Sequence, residues 1–282
     1  MRSERALLIG VIFIACVAVA FFLNSAKQHR ISKSAEASNT TATAPVAGSA
    51  SATSASGTLA SNSPGSLSGP LVSFSFDDGW QSQYDNALPI LEKAGFKGTF
   101  YIISTRVGTS LHMTRSELLQ MEADGNEIGD HTRTHPDLSK LTDANAEEQI
   151  AGARQDLLAL GFHDISTFAY PYGGHNDSTP GLVREAGLSG ARSSRIGINS
   201  DEEDPYLLLS YHLTASTTLA DAEKEIDTAI AQKQWLIFEG HHINEHTDDN
   251  ISSSFLAQIV AYVKEKHIRV VTVRGGLAFL KK

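Results

Sequence analysis

An α/β domain built on a parallel sheet is what this sequence predicts, and three observations carry that expectation. From Pro70 onward, short apolar runs alternate with stretches of helical length and helical periodicity. The runs end in polar or glycine-containing segments, such as Asp77-Asp78-Gly79 after the first and Gly240-His241-His242 after a late one. The only cysteine, Cys16, lies far upstream, so the domain has no disulfide and must be held by an apolar core. Roughly 210 residues are enough for one well-buried core.

In order, Leu71–Phe76 reads as a strand, 84–94 as a helix and 98–103 as a strand. Arg115–Ala123 reads as a helix, 127–129 as a short strand and 144–160 as a long helix with apolar positions at 150, 157, 158 and 160. A strand at 165–170, a helix at 179–186 and a strand at 188–192 follow. The chain closes with a helix at 220–231, a strand at 235–238, a helix at 255–266 and a strand at 269–273. About seven such units suit a barrel slightly smaller than the common eight-fold one. A doubly wound open sheet is the alternative, which periodicity does not separate from it.

The segment before this domain has a different character. Residues 6–23 are 18 uncharged, almost wholly apolar positions, preceded by Arg2 and Arg5. That length favours an uncleaved membrane anchor over a cleaved signal segment, with the N-terminus on the cytoplasmic side. Residues 24–69 are rich in Ser, Thr, Ala and Gly and read as a flexible linker. The expected organisation is therefore an anchor or signal at 1–23, a linker at 24–69 and a folded domain at 70–282. The domain would lie outside the cytoplasm on a single-pass anchor, or be secreted if the segment is cleaved.

The chain's formal charge is −9, and residues 1–69 contribute +3 (Arg2, Arg5, Lys27, Arg30 and Lys33 against Glu4 and Glu36), which leaves the domain at −12. An acidic domain without basic clusters excludes nucleic acid as the expected partner.

The chemistry-bearing groups fall where the expected strands end: Asp77 and Asp78; Asp130, His131 and His135; Tyr172; Arg192; and His241. In a parallel barrel those ends share one face, where loops from several strands build a site. Adjacent side chains at a strand end diverge, so of Asp77 and Asp78 one can hold a metal while the other takes a proton from water. His131 and His135 are four apart, but Thr132 stands where a helical metalloprotease motif carries glutamate, and Pro136 discourages a helix. A loop supplying two imidazoles, with one carboxylate, forms a three-ligand site that leaves a position open for water. Trp80 offers a ring to a sugar or to the barrel rim. His175 and Asn176 either line a groove or finish a turn, and Glu239 is placed to orient His241.

Ser-Phe-Asp-Asp-Gly-Trp (75–80), His-Thr-Arg-Thr-His (131–135), Ala-Tyr-Pro-Tyr-Gly (169–173) and Ile-Phe-Glu-Gly-His-His-Ile (237–243) resemble, in order, the motifs of the polysaccharide deacetylases, carbohydrate esterase family 4. The resemblance spans about residues 70–280 and implies a distorted (β/α)7 barrel. It matches Asp78, His131 and His135 to metal ligands for one divalent ion, expected to be Zn²⁺ with Co²⁺, Ni²⁺ or Mn²⁺ as substitutes. It matches Asp77 to the catalytic base, His241, ahead of His242, to the general acid and Tyr172 to an oxyanion-binding backbone N–H. The implied reaction is hydrolysis of N-acetyl groups on a polysaccharide containing N-acetylglucosamine. The alternatives are an O-acetyl esterase on glycans and a metal-retaining glycan-binding module.

Two departures motivate the last alternative. Ala169 stands where the family carries an arginine that contacts the base, and the family's Asp-x-x-Asp-Trp motif has no counterpart, since Asp201-Glu202-Glu203-Asp204 lacks the tryptophan. Arg192 is the expected replacement partner of Asp77, with Arg195 second, because a guanidinium fixes a carboxylate in a way lysine cannot.

Overall fold

The computed structural model describes residues 69–244, 247–278 and 280, all within one unit, Ser61–Lys282. The segments expected to be an anchor and a linker, 1–23 and 24–69, lie outside the described residues except for Gly69. Among the described residues no helix is long and apolar enough to cross a membrane.

Seven strands form a closed parallel barrel: β1 (Leu71–Phe76), β2 (Thr99–Ile102), β3 (Glu127–Asp130), β4 (Thr167–Ala169), β5 (Gly190–Ile196), β6 (Leu208–His212) and β7 (Trp235–Gly240). β1 pairs with β7 along its whole length, which closes the barrel and excludes the open-sheet alternative. Two further strands, β8 (His242–Ile243) and β9 (Asn250–Ile251), make a small separate sheet just past β7. The short β10 (Arg269–Val270) lies against the start of β1.

Alternation along each strand sorts side chains into two layers. Val72, Phe74 and Phe76 of β1, with Leu236 and Phe238 of β7, join the large cluster that also takes in the helices. Their neighbours Leu71, Trp235 and Ile237 form a second cluster with Tyr101, Ala169 and Leu208, which fills the barrel's interior. The Trp235 indole N–H donates to Ser73 Oγ at 2.9 Å. A Cβ at Gly276 would lie 2.2 Å from the Trp235 ring, so only glycine lets the last helix close over it.

The helices cover the outside. They are α1 (Leu88–Ala94), α2 (Arg115–Ala123), α3 (Asp143–Ala159), α4 (Thr179–Glu185), α5 (Leu219–Gln232), α6 (Ser253–Glu265) and α7 (Val273–Leu277). Thr114 and Thr218 open α2 and α5 with capping boxes, paired with Glu117 and Asp221. Ile150, Ala153 and Leu157 give α3 its buried stripe.

Three expectations are corrected. The helix expected at 84–94 begins as a π-helical turn, Gln83–Ala87, which places Gln83 Nε2 on the backbone oxygens of Asp77 and His241. The strand expected at 269–273 stops at Val270, because Thr272 accepts from Gly275 N and starts α7. β5 runs to Ile196, so Arg192 sits within the strand instead of ending it.

Candidate active site

Along each interior-facing row the side chains change from apolar at the strand starts to polar at the strand ends. Leu71, Ser73 and Ser75 lead to Asp77; Trp235 and Ile237 lead to Glu239 and His241; Leu208 and Ser210 lead to His212. Period-two alternation thus delivers the polar groups to one mouth of the barrel. There they line a cavity of about 540 Å³ with Asp78, His131, His135 and Tyr172.

Three of these groups converge. Asp78 Oδ1 lies 3.6 Å from His131 Nε2 and 3.3 Å from His135 Nε2. Each of the three offers a ligand atom within 4.8 Å of the others. His131 Nδ1 is bonded to the Ala169 carbonyl at 2.8 Å, so Nδ1 carries the hydrogen and Nε2 keeps its lone pair for the cluster. Asp78 Oδ1 and His131 Nε2 are both buried without a hydrogen-bond partner among the described residues. A divalent cation would satisfy both, and two imidazoles with one carboxylate are a donor set suited to zinc. The residues fit the ion.

The backbone is bent to bring them in. Asp78, Thr132, His135 and Tyr172 all have positive φ, at 74°, 68°, 64° and 57°, which costs free energy in residues other than glycine. Asp130 holds the bend: its Oδ1 accepts from Thr132 N at 2.8 Å, and Thr132 Oγ1 accepts from His135 N at 2.9 Å. Burial pushes the Asp130 carboxyl well up, against the hydrogen bond from Thr132. Arg133 ties the same loop to α3 with paired 2.8 Å bonds from Nε and Nη2 to the Asp156 carboxylate. Burial, then the charge of His131, pushes the His135 imidazole down to about 4.

Asp77 stands beside the cluster and is almost wholly buried. The fully buried Arg192 donates from Nη2 to Asp77 Oδ2 and lies 2.5 Å from Glu239 Oε2 through Nη1. Burial alone would push the Asp77 carboxyl up. The Arg192 charge, with His131 and His241, outweighs it and holds the group well below the usual carboxylate range. The sequence-expected pairing of Arg192 with Asp77 is therefore present, while Arg195 pairs with Glu203 at 3.4 Å on the surface. Glu239 corrects an expectation: its oxygens take Arg192, Ser194 Oγ at 2.9 Å and Ser210 Oγ at 2.6 Å, so it orients the guanidinium and not His241.

His241 Nε2 lies 3.8 Å from Asp77 Oδ2, whereas His242 stacks on Trp80. Trp80 has no ring face free for a sugar, since His112 covers the other side. Tyr172 sits in the turn Pro171–Gly173 with its side chain exposed and edge-on to His135. The turn's bonds use the N–H groups of Gly173 and Gly174, which leaves that of Tyr172 outside them. Asn176 finishes a turn: its Oδ1 accepts from Ser178 N and Thr179 N. His175 closes back on Gly173 O at 2.9 Å.

Four polar residues lining the cavity escaped the sequence reading: Arg106, Ser194, His212 and Asp249. His212 lies on β6, the strand whose interior positions Ser210 and His212 broke the apolar pattern.

Residues 65–191 match the family model for polysaccharide deacetylase. That stretch, a little under half of the chain, carries a polysaccharide deacetylase domain. Bacillus subtilis (strain 168) YxkH, provisionally named a polysaccharide deacetylase, is 30% identical over 138 residues, 49% of each chain. The chitin deacetylase of Colletotrichum lindemuthianum is 27% identical over 187 residues, 56% of this chain and 73% of that one. The peptidoglycan-N-acetylmuramic acid deacetylase PdaC of Bacillus subtilis is 30% identical over 108 residues, 38% of this chain and 22% of that one. The chain thus spans about half the length of YxkH and less of PdaC. Among solved structures, the Xyl-CE4 domain of a xylanase from the Trinervitermes trinervoides hindgut metagenome shares the fold, with a TM-score of 0.55 and 22% identity over 74% of this chain and 89% of that one. Streptococcus pyogenes PplD aligns with a TM-score of 0.51 and 23% identity over 54% of this chain and 68% of that one.

Proposed function

We propose that this chain is a metal-dependent hydrolase that removes N-acetyl groups from a polysaccharide containing N-acetylglucosamine and releases acetate. The observation that carries the reading is Asp77, locked by Arg192 beside the Asp78, His131 and His135 cluster and facing His241. The family-model match over residues 65–191 and the chitin and peptidoglycan deacetylase names among the relatives support it.

A divalent ion held by Asp78, His131 and His135, most simply Zn²⁺, would acidify a water and polarise the acetamide carbonyl. Asp77, kept ionised by the Arg192 charge, accepts the proton of the attacking water. The Tyr172 N–H, held in a strained turn at the cavity wall, donates to the developing oxyanion. The carbon–nitrogen bond then breaks as His241 protonates the leaving amine, giving acetate and a free amino sugar. Arg192 fixes the Asp77 carboxylate without touching substrate, while Glu239 fixes Arg192 from the other side.

This arrangement supplies the cation whose absence at Ala169 motivated the binding-module alternative. The apolar segment 6–23 and the Ser/Thr/Ala-rich segment 24–69 support a domain tethered to the outer face of the cell membrane, where a polymer substrate would be within reach. The test is acetate release from chitopentaose and from acetylated xylan, with and without chelator. Chelator-sensitive release from the chito-oligomer supports the reading. Release from xylan alone makes the chain an O-acetyl esterase, and glycan binding with no acetate from either makes it a binding module.

A further inference from the structure

His241 has a second face. Its Nε2 looks toward Asp77, while its Nδ1 is buried without a hydrogen-bond partner among the described residues. The His212 ring lies alongside, with centroids 4.9 Å apart, and its Nε2 is likewise buried without a hydrogen-bond partner among the described residues. One ligand atom from each of His212, Glu239 and His241 lies within 4.8 Å of the other two. Glu239 retains acceptor capacity: Oε2 takes Arg192 and Ser210, but Oε1 takes only Ser194. Asp249 reaches the edge of the group, with Oδ1 3.7 Å from His212 Nε2.

Two imidazole nitrogens that lack hydrogen-bond partners, converging with a carboxylate, form a cation's donor set and not a solvated surface. We propose that His212, Glu239 and His241 form a second divalent-cation site, filled by zinc when the metal is in excess, with Asp249 at its rim. It binds more weakly than the Asp78, His131 and His135 cluster, because Glu239 shares its charge with the adjacent Arg192 guanidinium. Its consequence for activity rests on the reading of His241 as the general acid. An ion on Nδ1 takes the place of the proton there, and a neutral metallated imidazole releases its Nε2 proton far less readily than an imidazolium does. Excess zinc therefore inhibits amide hydrolysis by occupying the acid.

The test is titration of the metal-free full-length chain with Zn²⁺ at fixed neutral pH, read as ions bound per chain by equilibrium dialysis. Wild type takes a tight ion and then a weaker one. The His131→Ala/His135→Ala chain keeps only the weaker ion, and His212→Ala keeps only the tight one. Should His212→Ala fail to fold, Asp249→Asn, at an exposed side chain, replaces it and weakens the second ion about tenfold, the range of an outer-shell loss. A single ion in wild type at every free zinc concentration overturns the proposal. So does a second ion that persists unchanged in the His212→Ala chain, or in the Asp249→Asn chain that replaces it. Stoichiometry is read without turnover, so a chain that binds two ions yet releases no acetate would sink the deacetylase reading and leave this site standing.

Discussion

Trp80 donates its indole N–H to Asp78 Oδ2 at 2.9 Å, and imidazoles cover both faces of its ring, His112 at 4.3 Å and His242 at 4.2 Å. The bond occupies one carboxylate oxygen and turns the other, Oδ1, toward His131 and His135. The ring is thus a clamp on a metal ligand. Trp80→Phe keeps a ring in the stack and deletes the donor. It is expected to weaken the tight ion by about 10–100-fold, the usual cost of losing an outer-shell partner. Competition against a chelating dye measures this, and unchanged affinity would make Trp80 a packing residue only.

Arg192 is a second lock of the same kind, but deeper. It lies between Asp77 and Glu239, both buried, so Arg192→Ala leaves two carboxylates unpaired and is expected to cost about 3–5 kcal/mol in denaturant unfolding. Arg192→Lys separates catalysis from stability. A lysine retains one charge but cannot hold two carboxylates in a planar fork, so Asp77 loses its orientation. Turnover should fall by about 100-fold, the scale of an ångström-level misplacement, with metal content unchanged. Normal activity in that variant would leave the base without a positioning partner.

Metal content itself is expected to follow His131 and His135. Alanine at either removes most of the tightly held ion, and stoichiometric retention in the double variant would exclude this ligand set. The acid limb has a definite sign. A proton competes with the ion only as pH approaches the pKa of the ligating imidazole, and His135 is held down to about 4 by burial and by the charge of His131. Proton competition at His135 therefore sets in well below the 6.5 of a free imidazole. In the metal-free chain, the His135 ring resonances followed by NMR across pH 3 to 7 should titrate well below 6.5. A His135 midpoint near 6.5 would mean that burial does not protect it in this way.

Much of this site was legible because barrel geometry turns strand ends into neighbours. The strand Leu71–Phe76 falls where its apolar run puts it, and the helix Arg115–Ala123 starts where Thr114 and Glu117 form a capping box. β6 was missed for a physical reason. Its interior positions carry Leu208, Ser210 and His212, and the last two serve the site, so they broke the apolar pattern that marks a strand. Arg192 was found as a partner but misplaced as a strand end, because a buried arginine mid-strand reads as a terminus when its two carboxylates are 115 and 47 positions away. Trp80 could not be read either: its hydrogen bond is local, but the rings that cover its faces come from His112 and His242.

Asp77→Asn isolates the base. Asparagine keeps the shape and leaves the Asp78, His131 and His135 cluster intact, so the ion should remain. It cannot accept the water's proton, and turnover should fall by about 10²–10⁴, the range for losing a general base. Loss of the ion together with turnover would show instead that Asp77 helps to ligate it.

The role of His241 depends on the leaving group, and that separates it from every other residue in the cavity. An amine leaves only after protonation, whereas an activated aryl acetate leaves as a stable anion and needs little help. If His241 Nε2, 3.8 Å from Asp77, carries that proton, His241→Ala should slow acetamide hydrolysis by about 10²–10⁴ and ester hydrolysis far less. His242→Ala should show no such split, since its ring is committed to the face of Trp80 and its loss acts through Asp78. Rates for both substrate classes, measured on both variants at matched metal content, decide the matter. Equal losses on amide and ester in the His241 variant would remove it as the acid. A larger amide-specific loss in the His242 variant would move the role one residue along the chain.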